Sequence, residues 1–257
     1  MIERSTLAYK GYAGPKATGR LSARASVRGR GRPWVAGRRA LRVGVLMGAS
    51  GSARNARREA LHARDLEVLA WVCEQYGART DQLEVLLDSP ARTVQRVLAR
   101  LRWAGLVEVR RVLVGQAAWV VPTRAGVRAV GQGFGVWRPQ LGSLAHVAAV
   151  NDVRLHIWER APESEWVCER VLYKERQTGE HLADGAVVMG DGQRVAIEVE
   201  LTVKSRSRVR SIIDELAGRY DTVLYFCAPG PYRQLGELQR SGAWPNLGVR
   251  ELPRRAS

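Results

Sequence analysis

Cysteine is scarce in this chain. Three occur in 257 residues, at Cys73, Cys168 and Cys227, and no two stand in C-x-x-C spacing. Such a set argues against a disulfide framework or a thiolate zinc site and fits a reducing cytoplasm. The four histidines are equally scattered and show no metal-ligand spacing. No apolar run reaches the ~20 residues of a membrane-spanning helix, and the first residues lack the apolar core of a signal peptide. Acidic residues are nearly missing from positions 1–60, where Glu3 and Glu59 face 14 lysines and arginines. That stretch carries +12 of the formal net charge of +16, and the remaining residues hold 27 basic and 23 acidic groups. The basic character therefore belongs mainly to one end.

Residues 1–51 are rich in Gly, Ala, Arg and Ser, with Gly29-Arg-Gly-Arg-Pro33 at their centre. Few large apolar residues and little periodicity predict a basic disordered arm. Two readings stand side by side. The arm binds phosphates non-specifically, or it is an unstructured leader or an over-extended gene start with Met47 as the true first residue.

From Ser52 the pattern changes, and residues 52–130 read as one domain. Leu61, Leu66, Leu69, Ala70 and Cys73 recur at helical spacing up to Gly77, which is placed as a C-cap. Thr80 caps a second helix over Asp81–Leu87. Ser89-Pro90 opens a third that ends before Gly105. Val94, Leu98 and Leu101 form its inner stripe and leave Arg92, Gln95, Arg96 and Arg102 outward. Leu106–Val112 and Ala117–Val121 then read as two strands around Gly115-Gln116. Three helices followed by a ribbon is the order of a winged helix-turn-helix. Its third helix is expected in the major groove of double-stranded DNA, with Arg110 and Arg111 against backbone phosphates. The alternatives are a helical bundle with a charged face and a fold of this kind used to form a homodimer.

Gly131, Gly133, Gly135 and Pro139 mark residues 131–142 as a linker. Residues 143–257 follow as a second domain. Leu144–Arg160 carries two apolar stripes, which places His146 and Asn151 among packing groups. Trp166–Lys174 reads as a strand, followed by strands around Asp184 and Glu198. A helix over Ser205–Arg219, a strand over Thr222–Cys227, a helix over Tyr232–Arg240 and a strand over Leu247–Leu252 complete the chain. A hairpin followed by β-α-β predicts a mixed sheet carrying helices, so the whole chain is expected to be α+β.

The stretch from Leu182 to Lys204 organises this second half. Val195, Ile197, Val199 and Leu201 alternate with Ala196, Glu198, Glu200 and Thr202, the period of a strand with two unlike faces. Glu198 and Glu200 therefore point the same way. Gly190-Asp191-Gly192 signals a hairpin that brings Asp184 alongside them. Three carboxylates on one face repel each other unless something positive sits among them. The expected answer is a divalent cation, Mg or Mn, held by Asp184 and Glu198. The alternative is a solvated sheet face.

An Asp, a strand with Glu-x-Glu and a following helix resemble the PD-(D/E)-x-K nuclease core. The resemblance implies that Asp184 and Glu198 bind the metal and that Glu200 stands where the family usually has Lys. Lys204 follows four residues later, within reach of the same site, so Asp184, Glu198, Glu200 and Lys204 form the candidate catalytic set. The residue before Asp184 is Ala183, not the family's Pro.

The chain from Arg64 to Cys227 also resembles the replication-relaxation family of actinobacterial plasmids and integrative elements. The resemblance rests on the order and spacing of Arg64-Asp-Leu66, Leu101-Arg-Trp-Ala-Gly-Leu-Val107, Thr123-Arg-Ala-Gly126, His146 with Val150-Asn-Asp-Val153, Ala183-Asp-Gly185 and Ile197-Glu-Val-Glu200. It implies a DNA-binding protein of a plasmid or mobile element, acting in replication, DNA relaxation or transfer. It implies no established catalytic mechanism; the resemblance to the nuclease core is what implies metal-dependent nicking or cleavage in the second domain. The other expectation is a non-catalytic transcriptional or copy-number regulator whose second domain serves dimerisation or partner binding.

Overall fold

A computed structural model describes residues 61–254. The arm expected at residues 1–51 and the lead-in 52–60 lie outside the described residues. The described chain is α+β, with eight helices and eight strands. In order these are α1 (Ala63–Glu74), β1 (Ala78–Arg79), α2 (Thr80–Leu86), α3 (Ala91–Trp103), β2 (Val107–Arg110), β3 (Trp119–Pro122), α4 (Arg124–Val130) and α5 (Leu141–Arg160). Then come β4 (Glu165–Cys168), α6 (Glu169–Glu175), β5 (Gly185–Val188), β6 (Arg194–Glu200), α7 (Arg206–Ala217), β7 (Thr222–Cys227), α8 (Pro229–Arg240) and β8 (Leu247–Glu251). Among the described residues no helix is long and apolar enough to cross a membrane.

The first half packs α1, α2, α3 and α4 around Val68, Leu69, Val72, Leu83, Val94, Leu98 and Leu101. A small antiparallel sheet in the order β1-β3-β2 closes it. Asp65 is fully buried and takes both Nε and Nη2 of Arg100 at 2.7 Å, tying α3 to α1. Arg64 reaches the turn between α2 and α3, donating to the Leu87 carbonyl at 2.5 Å and to Ser89 Oγ at 3.0 Å. Thr123 Oγ1 caps α4 by accepting from Gly126 N at 3.0 Å. Gly126 lies against the Leu106 backbone so closely that a Cβ there would run into its carbonyl. Gly126→Ala should therefore destabilise the chain by about 1–3 kcal/mol, the usual cost of overpacking. A urea midpoint equal to that of the wild type would refute the tight seat of α4.

The second half is a five-stranded mixed sheet in the order β4-β5-β6-β7-β8. β4, β5 and β6 run antiparallel, whereas β6, β7 and β8 are parallel. Gly192 turns the β5–β6 hairpin with φ +87°, and its N–H bonds the Met189 carbonyl at 2.9 Å. The alternation of β6 sorts its side chains as expected. Val195, Ile197 and Val199 meet Val150 and Val153 of α5 on one face. Ala196 joins Val209, Ile212, Ile213 and Leu216 of α7 on the other.

The segment expected as one strand over Trp166–Lys174 divides into β4 and α6. Cys168 is extended, Glu169 occupies the first helical turn and Lys174 the last. That charge order suits the helix dipole, and so short an apolar run fits either structure by periodicity alone.

Residues 131–142, expected as a linker, pack against the two halves. Phe134 is buried, and Trp137 packs at a tilt against Tyr76 and Trp119, with ring centroids 6.0 and 6.1 Å apart. Asn151 of α5 is fully buried, donating to the Gly77 carbonyl at 2.9 Å and to Gln82 Oε1 at 3.1 Å. Gln82 returns a bond to the Ala148 carbonyl at 2.8 Å. Arg154 pairs with Glu74 at 2.8 Å, and Arg170 donates to the Cys73 carbonyl at 2.5 Å. Leu155 and Cys168 of the second half sit in the same core as α1. The two halves share one interior, and α5 is its spine.

Candidate functional site

Asp184, Glu198, Glu200 and Lys204 gather where β5 and β6 meet. The β5–β6 register pairs Gly185 with Ile197, so Asp184, one residue earlier, stands opposite Glu198. Gly185 follows Asp184 because the Trp166 indole lies against the backbone there and leaves no room for a Cβ. Asp184 Oδ2 accepts the Val199 N–H at 2.7 Å, which fixes its carboxylate against β6. Glu198 and Glu200 are both buried.

Each carboxylate has a basic partner. Asp184 Oδ1 meets His146 Nε2 at 2.8 Å, Glu198 Oε1 meets His181 Nε2 at 3.2 Å, and Glu200 Oε2 meets Lys204 Nζ at 2.6 Å. His181 is held in turn by α7 and the residues just after it. Glu215 Oε1 accepts its backbone N–H at 2.5 Å, and Arg219 Nη2 donates to its carbonyl at 2.5 Å. The repulsion expected among the three acids is thus relieved by two imidazoles and an ammonium.

The electrostatics are uneven. Burial, and then the charge of Asp184, push the Glu198 carboxyl up to about 7. Burial and then Asp184 also raise Glu169, against the opposing effect of the nearby Tyr76 hydroxyl. Burial alone would lower His146, but the hydrogen bond and charge of Asp184 outweigh it and raise the imidazole. Tyr225 pairs with Glu198 across β6–β7 and shares its face. Its hydroxyl is buried without a hydrogen-bond partner. Burial, then Glu198 and Glu200, hold its proton on far above the ordinary range.

Among the described residues no three His, Cys, Asp or Glu side chains form a metal-ligating group. The oxygen pair of Asp184 and Glu198 nevertheless has the chemistry that Mg takes, since Mg commonly binds one or two carboxylates and fills its shell with water and phosphate oxygens. The partnerless Tyr225 hydroxyl beside them offers a polar contact to such a shell. In that sense the residues fit Mg or Mn.

The candidate DNA-contacting residues lie elsewhere. Arg92, Gln95, Arg96 and Arg102 are exposed on α3, opposite the buried Val94, Val97, Leu98 and Leu101. Arg111 is exposed just past β2. Arg110 is exposed too, but its guanidinium is engaged with Glu108, with Nε 2.8 Å from Oε2.

Sequence reasoning missed His146 and His181. His146 shares a helical stripe with Val150 and Val153 and so reads as a packing group. It stands in the second turn of α5, however, half-buried at the edge of the core. A histidine at the start of a helix, and another three residues before the key Asp, were the available signals.

No family model and no curated protein matches the chain. Among solved structures the chain is similar to the crystal structure of protein VC1899 from Vibrio cholerae. That match has 14% identity and a TM-score of 0.29 and covers 77% of this chain and 49% of the other. A second similarity is to PigF with SAH, at 14% identity and a TM-score of 0.19, covering 79% of this chain and 62% of that one. The chain therefore spans about half of the first structure and less than two thirds of the second, and likeness at this level bears no weight on function.

Proposed function

We propose that this chain is a DNA-binding protein of the replication-relaxation kind, serving a plasmid or mobile element in the cytoplasm. In this reading α1 to α3 with β1 to β3 act as a winged helix-turn-helix, and the sheet half is a PD-(D/E)-x-K-like domain that works on the phosphodiester backbone. The observation that carries it is the meeting of Asp184, Glu198, Glu200 and Lys204 at one end of β5 and β6, with Lys204 Nζ 2.6 Å from Glu200. Asp184 and Glu198 would hold Mg or Mn. When bound, the cation supplies charge stabilisation to a phosphodiester and lowers the pKa of water. Val199 N–H orients Asp184, and His181 orients Glu198. Glu200, which stands where the family usually has Lys, would accept a proton, and Lys204 beside it would supply the positive charge. Arg92, Gln95 and Arg96 supply base or phosphate contacts from α3.

A second reading has its own support. Each carboxylate already carries a basic partner, so the cluster is satisfied without a cation. On that reading the chain is a non-catalytic regulator, and its sheet half mediates dimerisation or partner binding.

A nicking assay decides between them. With millimolar Mn, wild type should relax supercoiled plasmid to the open circle, and Asp184→Ala should lose at least 100-fold of that rate, since it removes about 3 kcal/mol or more of transition-state stabilisation. Equal nicking by Asp184→Ala, or none by wild type with either metal, favours the second reading.

A further inference from the structure

An open groove of about 560 Å³ lies between α4 and the segment 134–138. Arg124, Arg128 and Arg138 line it, over an apolar floor of Val127, Phe134 and Val136. Arg124 and Arg128 are one helical turn apart and share a face of α4, while Arg138 comes from the extended chain before α5. All three are exposed. Among the described residues none of them has an ion pair or a side-chain hydrogen bond.

The segment that forms the floor is fixed in place. Arg170 and Lys174 lie over the Phe134 ring at 4.4 and 4.7 Å. Their charged ends donate to the Gly135 and Gln132 carbonyls. These two cations are thus occupied in holding the loop, whereas the three arginines that line the groove are not. Like charges gathered without an acid between them repel, and the arrangement gains most from an anion that spans all three. Guanidinium forks match phosphate oxygens in pairs. The groove is open to solvent rather than enclosed and draws its cations from two separate segments, which suits a chain of phosphates better than a single enclosed anion.

We propose that this groove holds the phosphate backbone of DNA, as a contact separate from α3. The proposal rests on the DNA-binding reading above. Each arginine neutralises one phosphate, so the groove adds affinity and register but no base preference.

The test uses the full chain and a labelled 30-base-pair duplex of mixed sequence, with affinity followed across a salt titration. The slope of log K against log salt falls by roughly 1 for each phosphate that is no longer neutralised. Arg124→Gln/Arg128→Gln/Arg138→Gln should flatten it by about 2 to 3, whereas the triple Lys variant, which keeps the charges, should hold most of the slope. Arg92→Ala/Arg96→Ala tests α3 separately. If the triple Gln variant keeps the wild-type slope while the α3 variant flattens it, the groove proposal is overturned and the DNA-binding reading stands. If the wild type binds no duplex, both fail. If the triple Gln variant loses binding of ATP but not of duplex, the groove is a site for a free nucleotide and the proposal is overturned. Because the three side chains are exposed, melting by circular dichroism should be unchanged, and single Gln variants with a slope change near 1 each supply the same answer should the triple variant fold poorly.

Discussion

Arg100→Ala should destabilise the chain by about 3–5 kcal/mol, the cost of leaving a buried charge without its partner. Asp65 is fully buried and accepts two bonds from the Arg100 fork at 2.7 Å, with a third from the His62 N–H at 3.0 Å. Removing the guanidinium leaves a carboxylate in the core with one backbone donor. The loss is a large share of the ~5–15 kcal/mol that holds a typical domain together. Replacing both partners, as in Asp65→Leu/Arg100→Leu, should recover much of it, because an apolar pair requires no desolvation of charge. Urea denaturation of the three variants measures the difference. An Arg100→Ala midpoint within 0.5 kcal/mol of wild type, taking that as roughly the resolution of such a comparison, would show that water or a neighbouring group satisfies Asp65. The consequence reaches the proposed DNA contact, because the pair anchors α3, the helix that presents Arg92, Gln95 and Arg96.

Much of this architecture could be read from periodicity and punctuation. The stripe of Val94, Leu98 and Leu101 placed the buried side of α3, and it also showed which arginines face outward. The Gly190–Gly192 turn and the alternation of β6 placed Asp184 next to Glu198 and put Glu198 and Glu200 on one face. Lys204 returned to Glu200 as its distance along the chain allowed. What could not be read depends on contacts between distant segments. Asp65 looks like a first-turn acid until Arg100 arrives 35 residues later. His146 and Asp184 are 38 residues apart and belong to different element types. Glycines and a proline made residues 131–142 read as a linker, yet Phe134 and Trp137 are packing groups whose role appears only once Arg170 and Trp119 are in place. Composition reports how freely a segment bends and says nothing about what it lands on.

The quoted motifs also take on physical content in this structure. Arg64 and Asp65 fasten the helices of the first half, Thr123 and Gly126 seat α4, and Asn151 binds α5 to the turn before β1. The first four act within the first half, and Asn151 ties the two halves together. Only His146, Asp184, Glu198 and Glu200 of the same set stand at the acidic end of the sheet. Most of the quoted positions therefore serve architecture, and the chemistry rests on the few that have no packing role.

Glu198→Gln should make the protein more stable at pH 8 and abolish any response to manganese. Burial, followed by the charge of Asp184, raises the Glu198 carboxyl to about 7 from the ordinary 4.5. The folded state then binds this proton more tightly than the unfolded chain does. Its contribution to stability is full below pH 4.5 and falls as pH rises through about 7. The loss at pH 8 is up to about 3 kcal/mol, at ~1.4 kcal/mol per pKa unit, less whatever His181 returns through its 3.2 Å contact. The substituted amide is neutral at every pH, so the variant should match wild type near pH 4 and exceed it at pH 8. Manganese runs the other way. A cation held by ionised Glu198 and Asp184 would raise wild-type stability at pH 8 by about 2.7 kcal/mol at a hundredfold excess over its Kd, and the variant should gain little. Thermal melts at pH 4.5, 6 and 8, with and without the metal, separate the two effects. If the variant is more stable at pH 8 and manganese moves neither protein, Glu198 is a strained carboxylate kept by its histidine, and the acidic end belongs to a partner-binding face. If the variant is no more stable at pH 8, His181 alone compensates the buried charge, and the raised titration of Glu198 is refuted.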